Sequence, residues 1–224
     1  MVKVALIVSI LGEHEEDVAA MARQLDQADG VAAIELNLSC PNLKSSSELT
    51  RNSQLATLRM VAQDPEATQA IVRAARQSTQ KPLIAKLSPD VTDLTPIVRA
   101  AEEAGADALT ISNTFTGMSV DPSTRRSRLG ALTGGLSGPA IRPLALYRVW
   151  YTAQLTRLPI IGLGGIKQSE DAVEFLLAGA SAVAVGTANF ADPRAPSRIL
   201  SGLLRYLERE GLSSIDQLRG ALRQ

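Results

Sequence analysis

The chain contains one cysteine and one histidine among its 224 residues. A single cysteine forms no internal disulfide, which favours a reducing, cytoplasmic setting. The histidine, His14, stands among acidic residues near the start of a predicted helix, where we expect a solvated side chain. A single histidine among acidic residues argues against a zinc site and against a Ser-His-Asp triad, so we expect no metal in this protein.

The sequence also lacks a long apolar run and a net charge. No stretch approaches the roughly 20 consecutive apolar residues that a membrane-spanning helix requires. The opening residues, MVKVALIVSILGEHEED, give an apolar run too short for an export signal. Lys plus Arg and Asp plus Glu number 23 each, so no overall field attracts nucleic acid or an anionic membrane. We therefore expect neither partner, and a small-molecule ligand remains open.

Short apolar runs alternate with longer segments of helical spacing along the whole chain. Such alternation is typical of βα units built around a parallel sheet. With 45% hydrophobic residues the chain can bury one core, and its length demands no more than one domain, residues 1–224. Strands are predicted at residues 2–9, 33–38, 82–87, 107–112, 158–162 and 182–186, and helices at 15–28, 65–77, 94–104, 140–155, 170–177 and after Ala195.

Three segments resemble one another: QADGVAAIEL, EAGADALTIS and LAGASAVAVG. Each ends a helix, turns on glycine and begins a strand, and glycine after a helix fits a left-handed cap. No GxGxxG motif follows the first strand, so the repeated βα units favour a TIM-type (β/α) barrel over a doubly wound sheet. A closed barrel needs about eight strands, and the pattern provides about six βα units. The predicted fold is therefore an incomplete α/β barrel.

Two long polar connections interrupt this alternation, at 45–66 and at 119–130. Connections of that length are often functional. The second is read as an irregular insertion and carries three arginines. A solvated loop is the simpler interpretation of these arginines, and a ligand contact is the alternative.

The segment IELNLSCPN ends a predicted strand and places Asn37, Cys40 and Asn42 at its carboxyl end. In a barrel, that end of the strands forms the active face. A lone cysteine is commonly a small buried hydrophobe. Here Pro41 and the two asparagines indicate a rigid polar loop, in which the thiol could instead face a ligand and act as a base.

Polar residues also end the next two strands. Lys86 lies in the apolar segment PLIAKL, where an unpaired ammonium would be costly to bury. It either contacts a cofactor or reaches water from the tip of the strand. The next strand ends in Ser112, Asn113 and Thr114, whose side chains either hydrogen-bond a polar ring or begin a turn.

Glycine-bearing turns follow the last two strands. IIGLGGIKQSED carries Gly164 and Gly165, and VAVGTANF carries Gly186 and Thr187. Turns in this part of a barrel commonly bind phosphate, because glycine lets backbone N–H groups approach the oxygens. The segment GGLSGPAI adds Gly138, another close backbone approach before a helix. Together these turns predict a phosphate-bearing ligand.

Six blocks, in this order, resemble those of class 1 dihydroorotate dehydrogenases: IELNLSCPN, IAKLSPDVTD, ISNTFTGM, TGGLSGPAIRP, IIGLGGI and AVGTANF. The resemblance runs through nearly the whole chain and is greatest to the NAD-linked subclass. It implies a flavoprotein barrel that uses FMN to oxidise dihydroorotate to orotate in pyrimidine biosynthesis. It also implies a homo-oligomer and a partner subunit that carries FAD and an iron–sulfur cluster.

The resemblance implies a role for each matched position. Cys40 is the base that removes a proton from C5 of dihydroorotate, while hydride leaves C6 for N5 of FMN. The substrate-binding residues are Asn37, Asn42, Asn113 and Thr114. The residues that contact FMN are Ser9, Asn37, Lys86, Ser112, Gly138, Gly164, Gly165, Gly186 and Thr187.

The start of the chain departs from the family pattern. Met1 falls just before what resembles the third barrel strand, so the family's first two βα units have no counterpart here. A fragment, a subunit completed by another chain, and a shortened protein without catalysis are the three explanations. Two rival functions are also open: a uracil-type flavin barrel like that of dihydropyrimidine dehydrogenase, and a non-catalytic module that binds FMN or another phosphorylated ligand.

Overall fold

The structure is a computed structural model that describes residues 4–12, 14–39 and 60–223. Strands and helices alternate along it, as the apolar pattern predicts. The strands are β1 (Leu6–Ile10), β2 (Val31–Asn37), β3 (Leu83–Lys86), β4 (Ala108–Ile111), β5 (Phe115–Gly117), β6 (Val120–Asp121), β7 (Arg126–Ser127), β8 (Gly134–Leu136), β9 (Ile160–Leu163) and β10 (Ala182–Ala184). The α-helices are α1 (Glu15–Asp26), α2 (Pro65–Arg76), α3 (Thr95–Glu103), α4 (Arg142–Ala153), α5 (Ser169–Leu177), α6 (Ala188–Ala191) and α7 (Ala195–Arg209).

Six strands form one parallel sheet in the order β1-β2-β3-β4-β9-β10. A helix lies in each connection between neighbouring strands of this sheet, because parallel pairing needs a crossover that returns the chain to its starting edge. Within the described residues, β1 and β10 are the two edge strands. All six strands therefore direct their carboxyl ends to one side of the sheet.

The two faces of the sheet differ because side chains alternate along a strand. On β2, Ile34 and Leu36 are almost completely buried and belong to the hydrophobic core beneath the helices. Glu35 and Asn37 alternate with them and lie on the opposite, concave face. The pairing register places Asn37 beside Lys86, so polar residues of neighbouring strands meet on that face near its carboxyl end.

Local sequence signals explain where the helices begin. The side chain of Asp64 caps α2 by accepting hydrogen bonds from the backbone N–H groups of Glu66, at 2.9 Å, and Ala67, at 3.3 Å. Pro65 then occupies the first turn, where its missing N–H costs nothing. The helix buries Ile71, Val72 and Ala75 against the core.

The predicted repeat of helix, glycine and strand is confirmed. Gly30, Gly105 and Gly179 follow α1, α3 and α5 with φ angles of 82°, 98° and 115°. Side chains other than hydrogen rarely adopt this left-handed region. The glycines therefore allow each helix to end sharply and the next strand to enter the sheet.

The prediction of an irregular insertion at 119–130 was wrong. Within and around it, β6 pairs with β7 and β5 pairs with β8, both in antiparallel fashion. These strands have two or three residues each, which is too short for an alternating pattern to be visible in the sequence. The three arginines of the insertion are exposed, in agreement with their interpretation as solvated residues.

Candidate functional site

A cavity of about 510 Å³ opens at the carboxyl ends of β3, β4, β9 and β10. This volume lies in the range of small-molecule sites, roughly 300–1,000 Å³. The wall is formed by strand ends, by the loop before α4 and by the segment that leads into α7. The predicted residues that line it are Lys86, Ser112, Asn113, Thr114, Gly138, Gly164, Gly165, Gly186 and Thr187.

The turn after β9 packs closely against the loop before α4. A Cβ atom at Gly164 would lie 2.5 Å from Cβ of Ala145, and one at Gly165 would lie 2.8 Å from the carbonyl oxygen of Gly138. Both separations are shorter than a carbon atom tolerates, so glycine is required at these two positions. The backbone of residues 164–165 is thereby held against the cavity wall.

The other two glycines of the cavity face open space. A Cβ atom at Gly186 would have Leu163 Cδ1 as its nearest neighbour, at 4.0 Å, and one at Gly138 would have Thr187 Cγ2, at 3.8 Å. Beside them, the Thr187 hydroxyl donates a hydrogen bond to Oγ of Ser137 at 2.8 Å. A ligand can therefore approach backbone and hydroxyl groups together at this end of the cavity.

Asp171, in the first turn of α5, also holds the segment that follows the glycine turn after β9. Its Oδ2 accepts hydrogen bonds from the backbone N–H groups of Lys167, at 2.8 Å, and Gln168, at 3.1 Å. The side chain is only 3% exposed and forms an ion pair with Arg142, the first residue of α4. Asp171 therefore links the two segments that carry the cavity's glycine turns.

Lys86 lies at the end of β3 with its side chain 18% exposed. Its Nζ is 3.8 Å from Oε1 of Glu35, whose side chain is 14% exposed. The same carboxylate accepts hydrogen bonds from Ser9 Oγ at 2.8 Å and from Thr110 Oγ1 at 2.7 Å. Residues of four neighbouring strands thus form one polar cluster on the concave face.

A second cluster joins the ends of β2 and β4. The side-chain nitrogen of Asn113 donates to Oδ1 of Asn37 at 3.0 Å, and it also lies 2.7 Å from Oγ of Ser39. Oδ1 of Asn113 accepts the backbone N–H of Thr114 at 2.8 Å. Ser39 is only 1% exposed, so its hydroxyl serves the two asparagines and not the solvent.

Charged side chains lie at the rim of the cavity near α7. Arg198 contacts the carboxylate of Asp192 at 3.3 Å, and Arg194 does so at 3.6 Å. The backbone N–H of Arg194, followed by the charges of Arg198 and Arg194, holds the pKa of Asp192 below its ordinary value. Asp192 is therefore ionised at neutral pH and offsets part of the positive charge that Arg198 brings to the cavity.

Among the described residues, Ser9 and Asn37 are the predicted site residues that do not belong to the cavity lining. Asn37 borders the cavity through its hydrogen bond to Asn113. Ser9 is one strand farther away, on β1, where its hydroxyl contacts Glu35. Cys40 and Asn42 lie outside the described residues, so their predicted roles stay predictions.

Sequence reasoning did not identify Glu35, Ser39 or Asp171 as part of the site. A signal for Glu35 was present, because the alternation in IELNL puts it on the same face of β2 as Asn37. Ser39 and Asp171 gave no such signal, since Asn113, which contacts Ser39, and Arg142, which pairs with Asp171, are distant from them in sequence. In residues 4–12, 14–39 and 60–223, no group of three or more His, Cys, Asp or Glu side chains is placed to hold a metal ion. Over the same residues, no helix combines the length and apolar character that crossing a membrane requires.

Comparison with known proteins gives consistent matches along the chain. The family model for dihydroorotate dehydrogenase matches residues 1–207. The protein named dihydroorotate dehydrogenase B (NAD(+)), catalytic subunit, of Geotalea uraniireducens is 46% identical over 221 residues, which cover 99% of this chain and 69% of that protein. The protein of the same name from Porphyromonas gingivalis is 46% identical over 217 residues, covering 97% and 67% of the two chains.

Solved structures agree with these sequence matches. The ligand-free dihydroorotate dehydrogenase of Eimeria tenella superposes with a TM-score of 0.71 at 26% identity, over 94% of this chain and 60% of that one. Its complex with ferulenol gives a TM-score of 0.70 at 26% identity, over 92% and 57%. This chain thus spans less than two thirds of the solved structures that it matches.

These findings confirm two predictions from the sequence. The six parallel strands, each followed by a helix, form part of a (β/α) barrel of TIM type. The blocks that suggested the family lie in the region that the family model matches. The chain belongs to the dihydroorotate dehydrogenase family.

Proposed function

We propose that this chain forms the FMN- and substrate-binding part of a cytoplasmic dihydroorotate dehydrogenase, which oxidises dihydroorotate to orotate in pyrimidine biosynthesis. The observation that carries this proposal is the cavity at the carboxyl ends of the strands. A lysine, a row of polar strand-end residues and three glycine-bearing segments meet there. Active sites of TIM-type barrels lie at this end of the strands.

The residues of the cavity suit FMN. Gly138 and Gly186 leave the space that a Cβ atom would fill, so backbone N–H groups at 164–165 and 186–187 can approach a phosphate without obstruction. The hydroxyls of Thr187 and Ser137 add further donors at the same end. Lys86, Ser112 and Asn113 line the same cavity from β3 and the segment after β4, and their side chains can hydrogen-bond a polar ring system.

In this proposal, bound FMN supplies a two-electron acceptor for the hydride that leaves C6 of dihydroorotate. Lys86, which lines the cavity, would place a positive charge near the ring system of bound FMN, where it would favour the electron-rich form of the ring. Asn113 is held in place by hydrogen bonds to Asn37 and Ser39. Asn113 and Thr114 together would present polar groups of fixed orientation to the substrate. Fixed orientation of this kind lowers the entropic cost of reaching the reactive geometry.

Cys40 is proposed as the base that takes the proton from C5 of dihydroorotate. A thiol works as a base when its thiolate form is accessible near the working pH. Asn42 is proposed to hold the substrate beside it. Both roles rest on the match between IELNLSCPN and the family's block, and on the position of β2 beside the strands that line the cavity.

The test is a titration of the purified chain with FMN, followed by dihydroorotate, while the visible absorption of oxidised flavin is recorded. We expect FMN to bind and its absorption to bleach when dihydroorotate is added. The Cys40→Ser variant should bind FMN equally well and bleach at least about 100-fold more slowly, since general bases contribute roughly 10²–10⁴-fold. Bleaching by dihydrouracil instead would favour the uracil-type rival, and binding without bleaching would favour the non-catalytic module.

The proposal includes partners as well. The relatives are named catalytic subunits of NAD-linked enzymes, and we propose a homo-oligomer that pairs with a subunit carrying FAD and an iron–sulfur cluster. Reduction of NAD⁺ by dihydroorotate should then require that second subunit, whereas bleaching of bound FMN should not. NAD⁺ reduction by the chain alone would contradict this part of the proposal.

A further inference from the structure

The concave face of the sheet carries a charged residue that has no role in the function proposed above. Glu35 is in the middle of β2, and its side chain is 14% exposed. Burial of a carboxylate is costly unless hydrogen bonds and an opposite charge compensate it. Both kinds of compensation are present around Glu35.

Three neighbouring strands supply the partners of this carboxylate. Ser9 on β1 donates to Oε1 at 2.8 Å, and Thr110 on β4 donates to Oε2 at 2.7 Å. Lys86 on β3 places Nζ 3.8 Å from Oε1. The two hydroxyls fix the orientation of the carboxylate, and the carboxylate in turn attracts the ammonium group of Lys86, a residue that lines the cavity.

The charge that the cavity experiences is therefore that of a pair and not of a lysine alone. The hydroxyl groups are neutral, so the carboxylate keeps its full negative charge next to the ammonium. In a partly buried cluster of this kind, charges a few ångströms apart interact more strongly than they do in water. Removal of the carboxylate would leave Lys86 with an uncompensated positive charge at the cavity wall.

We infer that Glu35 is a positioning residue that orients Lys86 toward the bound flavin and lowers the positive charge which the flavin experiences. This inference rests on the proposed binding of FMN. Reduced FMN, which carries an additional negative charge on its ring system, is more sensitive to that charge than oxidised FMN. Glu35 therefore sets the balance between the two forms of the cofactor.

The experiment measures the midpoint potential of FMN bound to the full chain and to its Glu35→Gln variant. Glutamine keeps the size and one acceptor oxygen but removes the charge. We expect the preference for reduced over oxidised FMN to rise about tenfold, which equals a shift of about 30 mV to more positive potential for a two-electron couple. Glu35→Asp, which keeps the charge, should restore most of the original potential.

Glu208→Gln is the matched control, because Glu208 is exposed on α7 and lies outside the set of residues that line the cavity. Its potential should equal that of the unsubstituted chain. An unchanged potential in Glu35→Gln, with FMN still bound, would overturn the inference and leave the proposed function intact. If the unsubstituted chain binds no FMN, the proposed function and this inference fail together.

A second variant covers the case in which Glu35→Gln does not fold. Thr110→Val removes the 2.7 Å hydrogen bond to Oε2 and preserves both the side-chain shape and the charge of Glu35. Without this bond the carboxylate can turn toward Lys86 and bring its negative charge closer to the ammonium group, so the potential should move in the negative direction. A potential equal to that of the unsubstituted chain would overturn the inference.

Discussion

The side-chain nitrogen of Asn113 lies 3.0 Å from Oδ1 of Asn37, and this hydrogen bond joins two strand ends that are separated by 76 positions in the chain. The same nitrogen is within hydrogen-bonding distance of Ser39, at its hydroxyl and its carbonyl oxygen. Asn113 thus faces three acceptors with its donor group. The orientation of its amide is determined by the protein before any ligand binds.

This arrangement predicts the effect of replacing Asn113 with aspartate. Asn113→Asp keeps the shape but points a carboxylate oxygen at the acceptors of Asn37 and Ser39. We expect a loss of about 1–3 kcal/mol in the free energy of unfolding, because buried acceptors are left without donors, and slower bleaching of FMN by dihydroorotate. Urea unfolding and stopped-flow absorption measure the two effects. Stability of Asn113→Asp equal to that of the unsubstituted chain would show that the amide donor of Asn113 is not important.

Gly186 gives a prediction on ligand binding that is separate from folding. An alanine there meets Leu163 Cδ1 only at 4.0 Å, so Gly186→Ala should leave the melting temperature nearly unchanged. Its methyl group would occupy space on the cavity wall, and we expect the Kd for FMN to rise at least about tenfold, roughly 1.4 kcal/mol. Gly130→Ala is the control, since Gly130 has no atom within 4 Å of the added Cβ and lies outside the cavity lining. Equal FMN affinity of both variants would contradict the proposed phosphate site.

Gly162 gives the opposite pattern, because the space around it is filled by the core. A Cβ atom at this position of β9 would lie 2.6 Å from Phe175 Cδ1 and 3.2 Å from Cβ of Ala180. Gly162→Ala should therefore reduce the free energy of unfolding by about 1–3 kcal/mol, the usual cost of overpacking. Combination with Phe175→Leu should recover part of that loss, as a double-mutant cycle would measure. Additive costs would show that Phe175 is not the source of the strain.

The elements of the fold could be predicted from the sequence because the strands of a parallel sheet are buried on one or both faces and form apolar runs. The glycines after α1, α3 and α5 marked the helix ends, because a left-handed cap is a requirement of the local backbone that glycine meets. The pairs β5–β8 and β6–β7 were missed, since two or three residues carry no periodic signal. Local patterns thus predicted the regular elements, whereas the antiparallel pairs β5–β8 and β6–β7 depend on contacts that form only in the folded chain.

In the site, too, local sequence predicted some residues, and others depended on how the elements assemble. Lys86, Asn113 and the glycine turns were identified because each follows directly from a strand end. The pairing of Lys86 with Glu35 was not, because it depends on the register between β2 and β3, and that register is a property of the assembled sheet. Asp171 looks in the sequence like an ordinary acidic residue of a first helical turn, and its partner Arg142 becomes evident only from the packing of α4 beside α5.

Stability toward acid should depend on Asp26, at the end of α1. Its carboxylate accepts hydrogen bonds from Thr79 Oγ1 at 2.6 Å and from the backbone N–H of Gln80 at 2.8 Å. These bonds lower the pKa of Asp26 from its ordinary value of 3.8. A carboxyl group with a lowered pKa in the folded state stabilises the protein above the unfolded value, and this contribution is lost as the pH falls through the folded pKa.

The measurement is the free energy of unfolding as a function of pH for the native chain and for Asp26→Asn. The native curve should fall more steeply below pH 3.8, and the two curves should run parallel near neutral pH. Asp29→Asn controls for the removal of a nearby charge alone. Parallel curves over the whole acid range would show that the hydrogen bonds of Asp26 contribute nothing to acid sensitivity.

Arg142 pairs with two acidic residues of α5 that differ in burial, and this difference allows a direct comparison. Asp171 is 3% exposed and also accepts two backbone N–H groups, whereas Glu174 is 43% exposed and lies 3.5 Å from Nε of Arg142. Asp171→Ala leaves two buried N–H donors and a cation without their acceptors, so we expect a loss of about 2–4 kcal/mol in the free energy of unfolding. Glu174→Ala should cost less than about 1 kcal/mol, as the loss of exposed ion pairs does.

FMN affinity should separate the two variants as well. The N–H groups that Asp171 holds belong to residues 167 and 168, directly after the glycine turn proposed to bind phosphate. Their release should loosen that turn and weaken FMN binding in Asp171→Ala, while Glu174→Ala should bind FMN like the native chain. Chemical unfolding and fluorescence titration with FMN provide the two measurements. Similar costs for both variants would show that the ion pair with Arg142, and not the buried acceptor, determines the position of the turn.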